Sequence, residues 1–202
     1  MKKLIYFPIV HNQVDLGSMG SQLSLAGEQK YGELWKEHLK EVDLAWNKIG
    51  SYVNQIENLR IYQDGLPVAG DIGIRIVKDV ANSGSKNYKI IENLISNGAV
   101  LEIAESKELL LKEYNFLNRI TNAITSVEKL KANILYKDES EKLLSDRDEY
   151  IANQINTTLN DGEIGVAFFG GAHSIVDKLN NDIEVIVIQM FKDEISLSLI
   201  NK

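Results

Sequence analysis

The stretch Leu4-Ile5-Tyr6-Phe7-Pro8-Ile9-Val10 is apolar at every position and stops at His11. A strand with one face in water alternates polar and apolar residues. An unbroken β-branched and aromatic run instead predicts a strand covered on both faces by helices. The expected fold is therefore α/β, a small mixed β-sheet flanked by helices, in a single domain over residues 1–202. A second apolar run, Ile164-Gly165-Val166-Ala167-Phe168-Phe169, leads into the turn Gly170-Gly171-Ala172-His173. If the two strands run parallel, His11 and His173 emerge at the same edge of the sheet, the edge where α/β proteins place their ligands.

The chain between these strands reads mainly as helix. Apolar residues from Tyr31 to Ile56 recur at steps of three and four, which predicts one long helix from about residue 28 to 57. A short strand follows at 59–63, closed by the turn Asp64-Gly65-Leu66-Pro67, which puts a carboxylate at a strand exit. Helices are expected at about 72–82, 87–97, 106–135 and 139–159, with those between about 72 and 135 capping the His11/His173 edge. Residues 99–102 read as a strand or a link, 174–179 as a short helix with Ser174 and Asp177 at capping-box spacing, and 183–190 as a last strand. Residues 194–200 fit an edge strand or a helix.

Composition narrows the chemistry. The 202 residues are 44% hydrophobic and 25% charged, enough to build a core. The net charge of −7 opposes nucleic acid and anionic lipid as partners. With no cysteine, disulfides, zinc-thiolate sites and thiol nucleophiles are excluded, and any metal must be held by His and carboxylates. No apolar run approaches a membrane span, and the N-terminal run lacks a signal-peptide cleavage site, so a cytoplasmic location is expected. Walker, Gly-x-Gly-x-x-Gly and Gly-x-Ser-x-Gly patterns are missing, which removes support for nucleotide hydrolysis, Rossmann binding and the serine-hydrolase route.

The candidate site residues follow from placement. His11 and His173 either share a pocket or are ordinary surface residues; His38, on a helix, reads as surface. Gly170 and Gly171 allow a tight turn and close ligand approach, and the turn also looks like an anion cradle of free N–H groups at a helix N-terminus. Arg147 falls on the apolar stripe Leu143, Leu144, Ile151, Ile155, so it either points inward to a partner or snorkels at the core margin. Asp148 reads as exposed beside that stripe. Asp15, Asp64 and Glu102 are the carboxylates available to join a His-based site, with Asp64 the best placed. Trp35, Trp46 and Tyr52 pack in the core or meet a partner subunit in a homodimer.

The order of strand, His11, helical segment, strand ending at Asp64, helix with Arg147 and Gly170-Gly171-Ala172-His173 resembles the TraB/Tiki superfamily, which includes ChaN-like and erythromycin-esterase-like proteins. The resemblance is closest from Arg147 to Ala152 and from Gly165 to His173. It implies two Gly-x-x-His motifs, an acidic residue and a helical Arg gathered at one end of a sheet. Pro8 stands here where the first motif has Gly, and Asp64 where Glu is usual. The resemblance implies a hydrolase of a peptide or ester bond, with His11, His173 and Asp64 as ligands of a divalent metal ion or as acid/base groups and Arg147 stabilising an oxyanion. The alternative is a non-catalytic ligand-binding or regulatory protein that retains the pocket.

Overall fold

The computed structural model describes residues 1–11, 14–15 and 20–191. Five strands, β1 (Lys2–Ile9), β2 (Leu59–Gln63), β3 (Val100–Leu101), β4 (Ile164–Gly170) and β5 (Ile183–Val187), form one sheet in the order β3-β2-β4-β1-β5. The α/β expectation holds, but the sheet is not mixed: every pairing among the described residues is parallel. Each connection carries the chain back across a face of the sheet, so successive strands point the same way. Residues 194–200 lie outside the described residues.

The apolar run of β1 needs no polar alternation because both of its faces are covered. Ile5, Phe7 and Ile9 pack with α2 (Glu33–Val53), α3 (Gly70–Asn82) and α4 (Lys86–Ser96), whereas Leu4 and Tyr6 pack with α6 (Ser126–Thr158). Pro8 is tolerated for a related reason. The Tyr6 carbonyl accepts from Ile188 while that of Ile9 accepts from Gly171, so strand alternation turns the Pro8 nitrogen towards β5, whose pairing with β1 stops at Tyr6.

The helix boundaries differ from those expected. Gly32, at φ 55°, separates α1 (Gly20–Tyr31) from α2 where one helix was expected. The break expected near 135–139 lies instead at 122–125, between α5 (Lys107–Thr121) and α6. There Thr125 and Glu128 form a reciprocal capping box, whereas Lys137-Asp138-Glu139 hold no Gly or Pro to break the helix and two of the three are good helix formers. The expected cap also divides. Helices α3 and α4 belong to the layer packed on the sheet, and only α5 with the first half of α6 projects over the carboxyl edge. The 174–179 helix is reduced to a 3-10 turn at Val176–Lys178 without a side-chain cap. No helix among the described residues is long and apolar enough to cross a membrane.

Trp46 and Tyr52 are buried in the α2 side of the core, Trp46 tilted against Phe168 and Tyr52 edge-on to Phe7, so neither is available to a partner subunit. His38 is half-buried between Trp35 and Phe191. Phe168, on the central strand, is fully buried against Phe7 at 5.4 Å. Phe168→Ala should cost about 3–5 kcal/mol of stability in denaturant unfolding; a loss below about 1 kcal/mol would contradict this packing.

Candidate active site

Strand order builds the site. β4 lies between β2 and β1, with Gln63 opposite Phe168 and Ile9 opposite Gly170. The residues at or just beyond the ends of these strands, Asp64, Gly170 and His11, are therefore neighbours although far apart in sequence. Asp64 Oδ2 accepts from the Gly170 N–H at 2.9 Å and meets His11 Nε2 at 3.0 Å. His173 Nε2 faces the same oxygen at 3.6 Å, beyond hydrogen-bond length. Asp64 Oδ1 accepts from Arg147 Nη2 at 2.9 Å. The four expected residues, His11, Asp64, Arg147 and His173, thus meet at one carboxylate.

Sequence reading missed three further carboxylates. Asp148, expected to be exposed, is buried; it holds His173 Nδ1 at 2.6 Å and accepts the Ser174 N–H at 2.9 Å. Its position four residues after Leu144 and four before Ala152 was the available signal. Glu105 is fully buried and takes both Nε and Nη2 of Arg147, while Glu113 of α5 takes Nη1 at 2.6 Å. Nothing local marked these two, beyond the need of an inward Arg147 for partners. Tyr6 also contributes, its hydroxyl donating to the His173 carbonyl at 3.2 Å; burial, with the fields of Asp148 and Asp64, pushes its pKa up to about 12.

The other expected residues divide. Glu102 is not part of the site: it pairs with Arg60, which also holds Glu163. Asp15 lines the cavity, accepts from Ser85, and its field adds to that of Asp64 in raising the His11 pKa. Four of the five N–H groups of the expected anion cradle are already engaged, those of Gly170 and Ser174 by Asp64 and Asp148 and those of Gly171 and His173 by the Ile9 and Gly170 carbonyls. The anions it binds are the protein's own. Gly170 and Gly171 have no positive φ, so a left-handed turn is not what they supply. A Cβ on Gly170 would stand 3.2 Å from Asp64 Oδ2 and 3.3 Å from His11 Nε2, whereas one on Gly171 would meet nothing within 4 Å.

Together these groups floor an open cavity of about 690 Å³ whose far side carries Leu110, Leu117, Tyr136 and Leu144 from α5 and α6. Its electrostatics are set by a surplus of buried negative charge. Burial disfavours charge on His11 and His173, but the carboxylates of Asp64 and, for His173, Asp148 outweigh it and raise both pKa values above 6.5. Burial likewise opposes ionisation of Asp64, yet the two imidazoles hold it well below the usual carboxylate range. Glu105 behaves differently: burial, joined by the field of Asp64, pushes it up to about 7 although Arg147 pulls it down.

A metal ion fits this donor set in chemical terms. Asp64, Glu105 and His173 each present a ligand atom within 4.8 Å of the others. The bond from Asp148 to His173 Nδ1 is the outer support that orients a ligating imidazole, and leaves Nε2 directed into the group.

Two outcomes follow. Gly170→Ala should separate His11 from Asp64 and shift the His11 titration seen by NMR, whereas Gly171→Ala should leave it unchanged; equal effects would contradict the crowding at Gly170. Glu105, whose folded pKa lies above its ordinary 4.5, binds its proton more tightly when folded. Its contribution to stability is complete below that ordinary value and is lost as pH rises through about 7. The melting temperature should therefore fall between about pH 5 and about pH 7. In Glu105→Gln, which mimics the protonated form, most of this fall should disappear.

No family model, no curated protein and no solved structure matches this chain in comparisons with known proteins.

Proposed function

We propose that this chain is a hydrolase of a peptide or ester bond that activates water at the floor of the α5/α6 cavity. The observation that carries the reading is the convergence of His11 and His173 Nε2 on the single oxygen Asp64 Oδ2, at 3.0 and 3.6 Å, beside that opening. A carboxylate bonded to one ring nitrogen fixes an imidazole's orientation and raises the basicity of the other nitrogen. Asp148 does this for His173, leaving Nε2 to take a proton from an attacking water. A chain without cysteine or a serine elbow has few other nucleophiles, which favours direct attack by water. Arg147 Nη1, shared with Glu113 at the cavity wall, is the donor that would receive negative charge developing on a carbonyl oxygen. The apolar wall suits a substrate with an apolar body next to the scissile bond.

A divalent cation held by Asp64, Glu105 and His173, with His11 beside them, would lower the pKa of water and polarise a carbonyl. The chain's own residues supply the rest: Asp148 orients His173, Gly170 leaves room for the His11–Asp64 contact, and Leu110 and Leu117 give the wall an apolar lining. The resemblance of the Gly170–His173 turn to the TraB/Tiki superfamily supports the same reading. A second reading, a non-catalytic ligand-binding or regulatory protein, is favoured by the four bonds that Arg147 already makes to carboxylates, which leave one of its five N–H groups, on Nη1, for a ligand.

The test is turnover of a panel of acyl esters and peptides by the purified chain, with Zn²⁺ or Mn²⁺ and with chelator. His11→Ala and His173→Ala should each lose about 10²- to 10⁴-fold in kcat/KM, and Asp148→Asn about 10- to 100-fold. The imidazoles accept a proton or a cation only when neutral, and Asp64 holds protons on them. Activity should therefore rise with pH through a midpoint above 6.5. Panel compounds that stabilise the protein without being turned over under any condition would favour the binding reading.

A further inference from the structure

Four carboxylates, Asp64, Glu105, Glu113 and Asp148, crowd this site, and Arg147 is the guanidinium that serves the first three. We propose that Arg147 competes with a divalent cation for Asp64 and Glu105, and that Glu113 on α5 is the seat to which its guanidinium withdraws when the cation enters. The inference deepens the hydrolase reading and rests on its metal-assisted form.

Three observations lead to it. First, Asp64, Glu105 and His173 bring ligand atoms within 4.8 Å of one another, and Arg147 occupies two of those three residues. A guanidinium and a divalent cation cannot use the same lone pairs, and two positive charges about 4 Å apart repel strongly in a buried site. Second, the third ligand is ready. The His173 side chain is only 4% exposed, its Nδ1 is taken by Asp148, and its Nε2 is beyond hydrogen-bond length of Asp64. Third, Arg147 has somewhere to go. Glu113 already accepts from Nη1 at 2.6 Å, its side chain is 26% exposed, and it sits on a helix that buries none of its residues.

The fork of the guanidinium matches one carboxylate at a time in its two-bond mode. Here that mode is spent on Glu105. Turning it to Glu113 needs side-chain torsions of Arg147 and leaves the α6 backbone in place. Because Glu113 also accepts from Tyr136 of α6 at 3.3 Å, the turned guanidinium would bind α5 more firmly to α6 and tighten the cavity roof.

The full-length chain tests this by isothermal titration with Mn²⁺ or Zn²⁺ for wild type, Arg147→Met and Glu113→Gln. The two variants should move in opposite directions. Arg147→Met, which removes the competitor, should bind the cation about tenfold tighter or more, and Glu113→Gln, which removes the second seat, about tenfold weaker. Tight binding by Arg147→Met with none by wild type also supports the competition. If Arg147→Met does not fold, Glu113→Gln decides alone, since it lies on a helix with no buried residue. Cation affinity equal in all three chains, or weaker in Arg147→Met, overturns the competition while leaving the metal-assisted reading in place. No cation bound by any of the three overturns both.

Discussion

One carboxylate ties the parts of this molecule together. Asp64, at the end of β2, receives the Gly170 N–H of β4 and meets the His11 imidazole beyond β1 on one oxygen, and receives the Arg147 guanidinium of α6 on the other. Three strands and a helix therefore converge on a group that burial alone would drive to its neutral form. Its ionised form persists because positive and proton-donating partners surround it. Removing one such partner leaves a buried charge uncompensated, which costs far more than the pair contributes as a whole.

The same constraint explains why the site is rich in shared bonds. Asp64, Glu105 and Asp148 are buried and Glu113 is partly so, against a single guanidinium. The remaining negative charge raises the proton affinity of the two imidazoles and, with burial, of Glu105. A group of this kind responds to anything that changes its charge: a cation, a proton or an anionic ligand. The core offers no such response. Phe7, Ile61, Val166 and Phe168 are fully buried apolar residues, and they hold the sheet while the charges at its edge rearrange.

The roof is built differently from the floor. Helix α5 has no buried residue, and the buried residues of α6 begin only at Leu143, so the hairpin over the cavity stands outside the two cores. Its link to the floor runs through Arg147, which belongs to the buried half of α6 and reaches Glu113 in α5. Short helices gain most of their stability from packing, so a helix held largely by one neighbour and an ion pair is the part of the site most free to adjust.

Local chemistry along the chain determined a good deal here. The unbroken apolar runs before His11 and before the Gly170–His173 turn marked two strands covered on both faces, and with Asp64 at the exit of β2 they marked one sheet edge as the candidate site, provided the strands ran parallel. Placing Arg147 on the apolar stripe of its helix left it either inward or snorkelling at the core margin, and the structure buries it. Only the tertiary structure decided which groups meet it. Its bonds to Asp64 and Glu105 span 83 and 42 positions, and the bond from Gly170 to Asp64 spans 106. Periodicity reports which face of an element is buried, not which element lies across from it. That is why Glu105 went unseen and Glu102 was over-read, whereas Asp148, read as exposed, lay within reach of the periodicity of its own helix. The order of strands in the sheet, set by long-range packing, brought these charges to one place.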